Sequence, residues 1–176
     1  TYGIELLIKK SAGKLNGWVG YTFARAFYKT PQSGWFTPSF DRTHTLNVVG
    51  MYNFTNLGQI SASLSNSSGN PYTPIIGRIY EWDQNLTTET AWFERGSYLV
   101  GEKNSSRYDP YFRIDLGYTS KTRKLFGLDY STYYQLINLT NHTNIMTYTY
   151  RTKVDRVTGN RLGVQRRPVP MFPLIF

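Results

Sequence analysis

Apolar and polar residues alternate along most of this chain, and the period is two. In Ile4-Glu5-Leu6-Leu7-Ile8-Lys9, residues Ile4, Leu6 and Ile8 share one face. Further on, Leu15, Gly17, Val19, Tyr21 and Phe23 oppose Asn16, Trp18, Gly20, Thr22 and Ala24. Leu46, Val48, Gly50, Tyr52 and Phe54 likewise oppose Asn47, Val49, Met51 and Asn53. Ile60, Ala62 and Leu64 alternate with Ser61, Ser63 and Ser65, and Phe112, Ile114, Leu116 and Tyr118 with Arg113, Asp115, Gly117 and Thr119. Successive side chains of an extended backbone project to opposite faces, so each run predicts a strand and none fits the 3.6-residue period of a helix. A Tyr-rich run over 128–139 predicts a sixth strand, whose facing the pattern leaves open.

The links between these runs follow a rhythm. Tight links at 11–14 (SAGK), 55–58 (TNLG) and 121–127 (KTRKLFG) take turns with long ones near 26–43, 69–110 and 141–171. An antiparallel meander with this rhythm puts every short turn at one rim and every long connection at the other. Outer-membrane β-barrels are built that way. The expected fold is therefore all-β, an antiparallel transmembrane β-barrel segment of about six to seven strands. The apolar rows face lipid, and Trp18, Asn47, Arg113 and Asp115 face the lumen. An Arg and an Asp two apart on one face are costly in a dry core and easily held in a wet or protein-filled lumen. Strands of about ten residues are long enough to cross the hydrocarbon layer when tilted.

Composition changes this picture little. With 40% hydrophobic residues and no apolar run of helical membrane-spanning length, a transmembrane helix is excluded, while a barrel, which shows lipid only every second residue, is not. The net charge of +9 invites a nucleic-acid reading. Its placement argues otherwise. Lys9, Lys10 and Lys14 sit at one short turn, Lys121, Arg123 and Lys124 at another, and Arg151, Lys153, Arg156, Arg161, Arg166 and Arg167 in the last long link. Charge at strand ends suits rims that meet anionic headgroups or lipopolysaccharide phosphates. Aromatic residues near strand ends, among them Trp18, Tyr52, Phe54, Tyr118 and Tyr133, fit interfacial girdles. No nucleic-acid motif is present, and with no Cys there is no disulfide or thiolate chemistry.

The residues also carry a resemblance. GIELLIKKSAGKLNGWVGYTFARA resembles the Gly-x-Glu, Gly-x-Leu-x-Gly-Trp, Tyr-Thr hairpin in the late barrel strands of TonB-dependent outer-membrane receptors. FDRTHTLNVVGMYNF, SGNPYTP, YDPYFRIDLGYT and QLINLTNHTN are similar to the segments that follow, in the same order, particularly in receptors of Bacteroidota. The resemblance implies a barrel of about 22 strands around a plug. It also implies import of a scarce ligand energised by TonB, with a surface lipoprotein as a further partner in some members. Residues 1–176 then correspond to a partial C-terminal portion of the barrel domain. The plug, the TonB-contacting segment and the remaining strands belong to the intact receptor. Thr1 is not an initiating Met, and Leu174-Ile175-Phe176 after Pro168, Pro170 and Pro173 read as a cut.

Two other readings are weighed against this one. A self-contained outer-membrane barrel enzyme or adhesin would have to work with His44, His142 and scattered Ser and Asp. Asp41 lies near His44, but Asp41-Arg42-Thr43-His44 reads as a turn into a strand in which Asp41 pairs with Arg42 and His44 packs locally. No nucleophile or metal-ligand spacing accompanies either His, so no catalytic residue, metal or cofactor is assigned. A soluble basic β-protein is the third reading. On the long links, Trp35, Phe36, Tyr80, Trp82, Trp92 and Phe93 are candidates for ligand contact, with packing of the loops against one another as the alternative role. Asn-x-Ser/Thr triplets at Asn53 and Asn138 fall in expected membrane strands and are incidental.

Overall fold

The computed structural model of this protein describes residues 1–80, 96–155, 157–158 and 161–171. Its main sheet joins five long strands, β1 (Tyr2–Lys10), β2 (Leu15–Arg25), β5 (His44–Phe54), β6 (Gly58–Ser67) and β11 (Tyr111–Ser120), in antiparallel fashion with the shorter β14 (Tyr133–Leu136). The sheet order β1-β2-β5-β6-β11-β14 is the sequence order, a meander. Alternate connections must then lie at the same rim, so the short turns occupy one end and the long connections the other. No helix occurs among the described residues. The sheet is open among them: β1 and β14 are its edges.

The long connections carry hairpins of their own, which the alternation did not foretell. The first contains β3 (Tyr28–Thr30) and β4 (Gly34–Phe36), and the second contains β7 (Pro71–Tyr72), β8 (Ile75–Tyr80), β9 (Gly96–Val100) and β10 (Ser106–Arg107). The third is a long hairpin of β15 (Ile145–Val154) and β16 (Arg161–Pro170).

The expected sixth strand is not one strand. Its first part belongs to a small hairpin, β12 (Arg123–Leu125) and β13 (Leu128–Tyr130), closed by Phe126-Gly127 with φ of 51° and 79°. The ladder with β11 starts at Tyr133; beside it the Ser120 amide donates to the Thr132 carbonyl and the Thr132 amide to the Ser120 hydroxyl, both at 2.8 Å. The ladder ends near Asn138, whose φ of 57° turns the chain out of the strand.

Register makes the two faces of the sheet continuous. Ile8 pairs with Val19, Val19 with Val48, Val48 with Leu64 and Leu64 with Ile114. Paired residues share a face, so the apolar rows read from single strands fuse into one apolar face five strands wide, and Tyr118 opposite Tyr134 carries it onto β14. The opposite face runs Trp18, Val49, Ser63 and Asp115. Little covers the apolar face. Ile4, Leu6, Ile8, Leu15, Val19, Ile60, Tyr134 and Leu136 are all exposed, and among the described residues the buried apolar side chains are those of Ala26 and Tyr148. The buried polar residues are Asp41, Ser67, Asp115, Asn138 and Asn144. A water-soluble domain inverts that arrangement. Burying each such apolar side chain is worth roughly 1.5–3 kcal/mol. Summed over the row, even the part still exposed is comparable to the roughly 5–15 kcal/mol of net stability of an ordinary domain.

Candidate functional site

The end of the molecule that bears the long connections is built on polar anchors. Asp41, 3% exposed, accepts the Ala26 amide at 2.7 Å and binds the guanidinium of Arg107, with Arg25 at 3.9 Å. Arg107 also donates to the carbonyls of Asp41 and Gly69, each at 3.0 Å. The carboxylate thus ties both feet of the first long connection to Arg107 at one foot of the second, and the Arg107 guanidinium reaches the other foot at Gly69. Arg42 turns away and donates to Asn70 at 2.9 Å, so the expected Asp41–Arg42 pair does not form. Gly69 is required here: a Cβ on it would run into the Tyr108 carbonyl. At the foot of the third connection, the Asn144 amide side chain bridges the N–H and C=O of Phe112, both at 2.8 Å, and so stands in for a missing strand partner. Asn138 holds the same corner from below, its N–H donating to Asp115 at 2.9 Å while its side chain engages both backbone groups of His142.

Above these anchors the second and third connections meet through tyrosines. The rings of Tyr72 and Tyr108 lie 4.5 Å apart, Tyr108 and Tyr148 5.2 Å, and Tyr72 and Tyr148 5.4 Å. The Arg166 guanidinium lies over Tyr148 at 4.2 Å and donates to the Tyr72 hydroxyl at 2.7 Å. Burial, then the nearby Asp109 carboxylate, push the Tyr148 phenol above its ordinary range, and burial does the same for Tyr150. The Tyr72 hydroxyl, as an acceptor, holds Arg166 still further towards the charged form. Arg78 joins β8 to β15 by donating to Thr152 at 3.0 Å. At the hairpin tip, the Val157 amide and the Thr158 hydroxyl lower the Asp155 carboxyl. The first and second connections meet through Asn104, which donates to the Thr37 carbonyl at 2.8 Å, and through Lys103, 3.9 Å above the Phe36 ring.

The residues singled out from sequence divide between this end and the sheet. Phe36 is half-buried under Lys103, whereas Trp35 is 69% exposed with Lys29 at 5.6 Å. Tyr80 closes β8, and Trp82, Trp92 and Phe93 lie outside the described residues, as do residues 172–176. Trp18 and Asn47 share the polar face with the Arg113–Asp115 pair, 2.9 Å apart, although they are spread over different strands and converge on no single point. His44 packs locally, its Nδ1 2.8 Å from the Tyr21 hydroxyl and its ring beside Phe23. Among the described residues no cluster of His, Cys, Asp or Glu has the makings of a metal site.

Sequence reasoning missed Tyr72, Tyr108, Tyr148 and Arg166. The alternation Thr147-Tyr148-Thr149-Tyr150 was a usable signal, a strand pattern inside what was read as a link. No helix among the described residues is long and apolar enough to cross a membrane, which says nothing of a β-barrel. No family model, curated protein or solved structure matches this chain.

Proposed function

We propose that this chain forms part of the wall and outer mouth of a bacterial outer-membrane β-barrel, and that the barrel is a TonB-dependent receptor importing a ligand such as an iron chelate, glycan or peptide. The observation that carries the membrane part is the exposed apolar face, continuous in register across the sheet and backed by a face holding a charge pair. In lipid the apolar row is already in its preferred solvent and the polar row lines the lumen. β1, β2, β5, β6 and β11 have 9 to 11 residues, the span of a tilted membrane strand. The ordered likeness of five sequence blocks supports the narrower receptor reading. In that reading the open edges of β1 and β14 pair with further strands of the same barrel, since unpaired backbone is costly in hydrocarbon. The polar face meets a plug, TonB acts through a segment outside these residues, and the long-connection rim faces lipopolysaccharide and any surface lipoprotein.

Single cysteines at Leu64 and Ser63, labelled in outer membranes holding the full-length protein, test the wall assignment. Lipid-phase quenchers should reach a label at position 64 and spare one at 63. Equal quenching at both would refute it. Ligand uptake that persists after the energy source of the inner membrane is removed would refute the receptor reading alone. A heat-modifiable, protease-resistant monomer refolded from residues 1–176 would put a self-contained small barrel, an enzyme or adhesin, in its place.

A further inference from the structure

The short-turn rim holds a feature that a barrel wall does not need. The connection between β11 and β14 rises into the β12–β13 hairpin, in which Leu125 pairs with Leu128 around the two-residue turn Phe126-Gly127. Both turn residues have positive φ, 51° and 79°. That turn form favours Asn-Gly or Gly-Gly, and a bulky residue at its first position is strained. The residue there is nevertheless Phe126, and it is 95% exposed. Leu125 and Leu128, on one face of the hairpin, are 55% and 73% exposed. The tip is therefore an apolar point with no packing role in the fold.

Its base is cationic. Lys121, Arg123 and Lys124 precede the tip, and Asp129, opposite Lys124, is the acidic residue of this connection. All residues of the three short turns are described, and Lys10 and Lys14 flank the turn between β1 and β2 at the same rim. An apolar tip over a collar of Lys and Arg is the chemistry of a segment lying in a bilayer interface, rings among the acyl carbons and cations among headgroup phosphates. We infer that the β12–β13 hairpin is an interfacial anchor, which inserts Phe126 and its flanking leucines into the leaflet on the short-turn side and binds anionic phospholipid there through Lys121, Arg123 and Lys124. The inference rests on the membrane reading above. A diacyl phosphatidylglycerol supplies both features at once, acyl chains for the tip and a phosphate for the collar.

The test uses the full-length protein carrying Phe126→Cys, labelled with an environment-sensitive nitrobenzoxadiazole dye, in vesicles of phosphatidylcholine alone or mixed with phosphatidylglycerol. A Leu64→Cys sample is labelled in parallel. Quenching of the position-126 label by shallow doxyl lipids should be about twofold stronger in the mixed vesicles. The combined Lys121→Gln, Arg123→Gln and Lys124→Gln variant should lose that difference. A position-126 label that stays aqueous in both vesicles while the position-64 label is quenched would overturn the anchor and leave the wall reading standing. Quenching at 126 that is indifferent to phosphatidylglycerol would overturn the anionic-lipid assignment. Failure of quenching at position 64 as well would bring down the membrane reading and the anchor with it.

Discussion

The two rims of the sheet differ in how their connections are held. At the feet of the long connections charged and aromatic groups bind one another: Asp41 is buried among Arg107, Arg25 and the Ala26 amide, and Tyr72, Tyr108 and Tyr148 cluster under Arg166, while farther out Trp35 and Val157 stay exposed. At the short-turn rim Leu57, Leu125, Phe126 and Leu128 are exposed beside lysines and arginines. Buried charges and rings that satisfy one another tie the long loops together. On the anchor inference above, the apolar tip and the cations of the short-turn rim are left to the bilayer.

Each side of that contrast can be broken. The largest effect should follow Asp41→Ala, which leaves Arg107 partly buried without its carboxylate and the Ala26 amide without an acceptor. A loss of about 3 kcal/mol is expected, at the low end for a broken buried pair because Arg107 keeps some contact with water. Trypsin should then cut faster near Arg25 and Arg42, with the short-turn rim untouched. An unchanged cleavage pattern would mean that Asp41 is not the anchor of this end. Next comes Asn144→Ala, which strips the Phe112 N–H and C=O of their partners. A loss of about 2 kcal/mol is expected, visible as faster amide hydrogen exchange at Phe112, and wild-type exchange there would defeat the bridging role.

Phe126→Gly sharpens the other side of the comparison. Relieving the left-handed strain should raise stability by about 1 kcal/mol in detergent, and that gain should disappear in vesicles containing phosphatidylglycerol, where the ring itself contributes. Equal gains in both settings would show the ring to be idle.

The smallest effect is one of pH. Burial raises the Tyr148 and Tyr150 phenols above their ordinary value of 10.0, so the unfolded state loses these protons first. Their contribution to stability is complete below that value and is lost as pH rises through the higher folded-state range. Denaturation midpoints should therefore fall in strongly alkaline solution, and less so in Tyr148→Phe. A Tyr148→Phe protein with the full alkaline dependence would remove the tyrosine cluster from the account.

Much of the sheet was legible in the chain. The five long strands of the main sheet lie where the alternation puts them, whereas β15 and β16 fall in a stretch that reads as a link; the facing of Leu64, Ile114, Ser63 and Asp115 relative to one another follows from a period of two that a single residue of slip would invert. The break between Tyr130 and Tyr133 was not legible, because the Tyr-rich run carries no signal for the separate β12–β13 hairpin, whose turn at Phe126-Gly127 has an aromatic residue where Asn or Gly is usual. Nor was the pairing of Asp41 with Arg107 rather than its neighbour Arg42, since adjacency in sequence suggests the wrong partner once a turn sends adjacent side chains apart.

What the sequence alone determined is local: strand positions, face identity, turn rhythm and the placement of cations at strand ends, all of them consequences of how an extended backbone directs successive side chains. Only the tertiary structure decided which loops hold one another. Arg107 lies 66 residues from Asp41, and Arg166 lies 94 from Tyr72. Once strand order and register bring the loop feet together, burial selects among the available charges and rings by hydrogen-bond geometry, which no periodicity along the chain records.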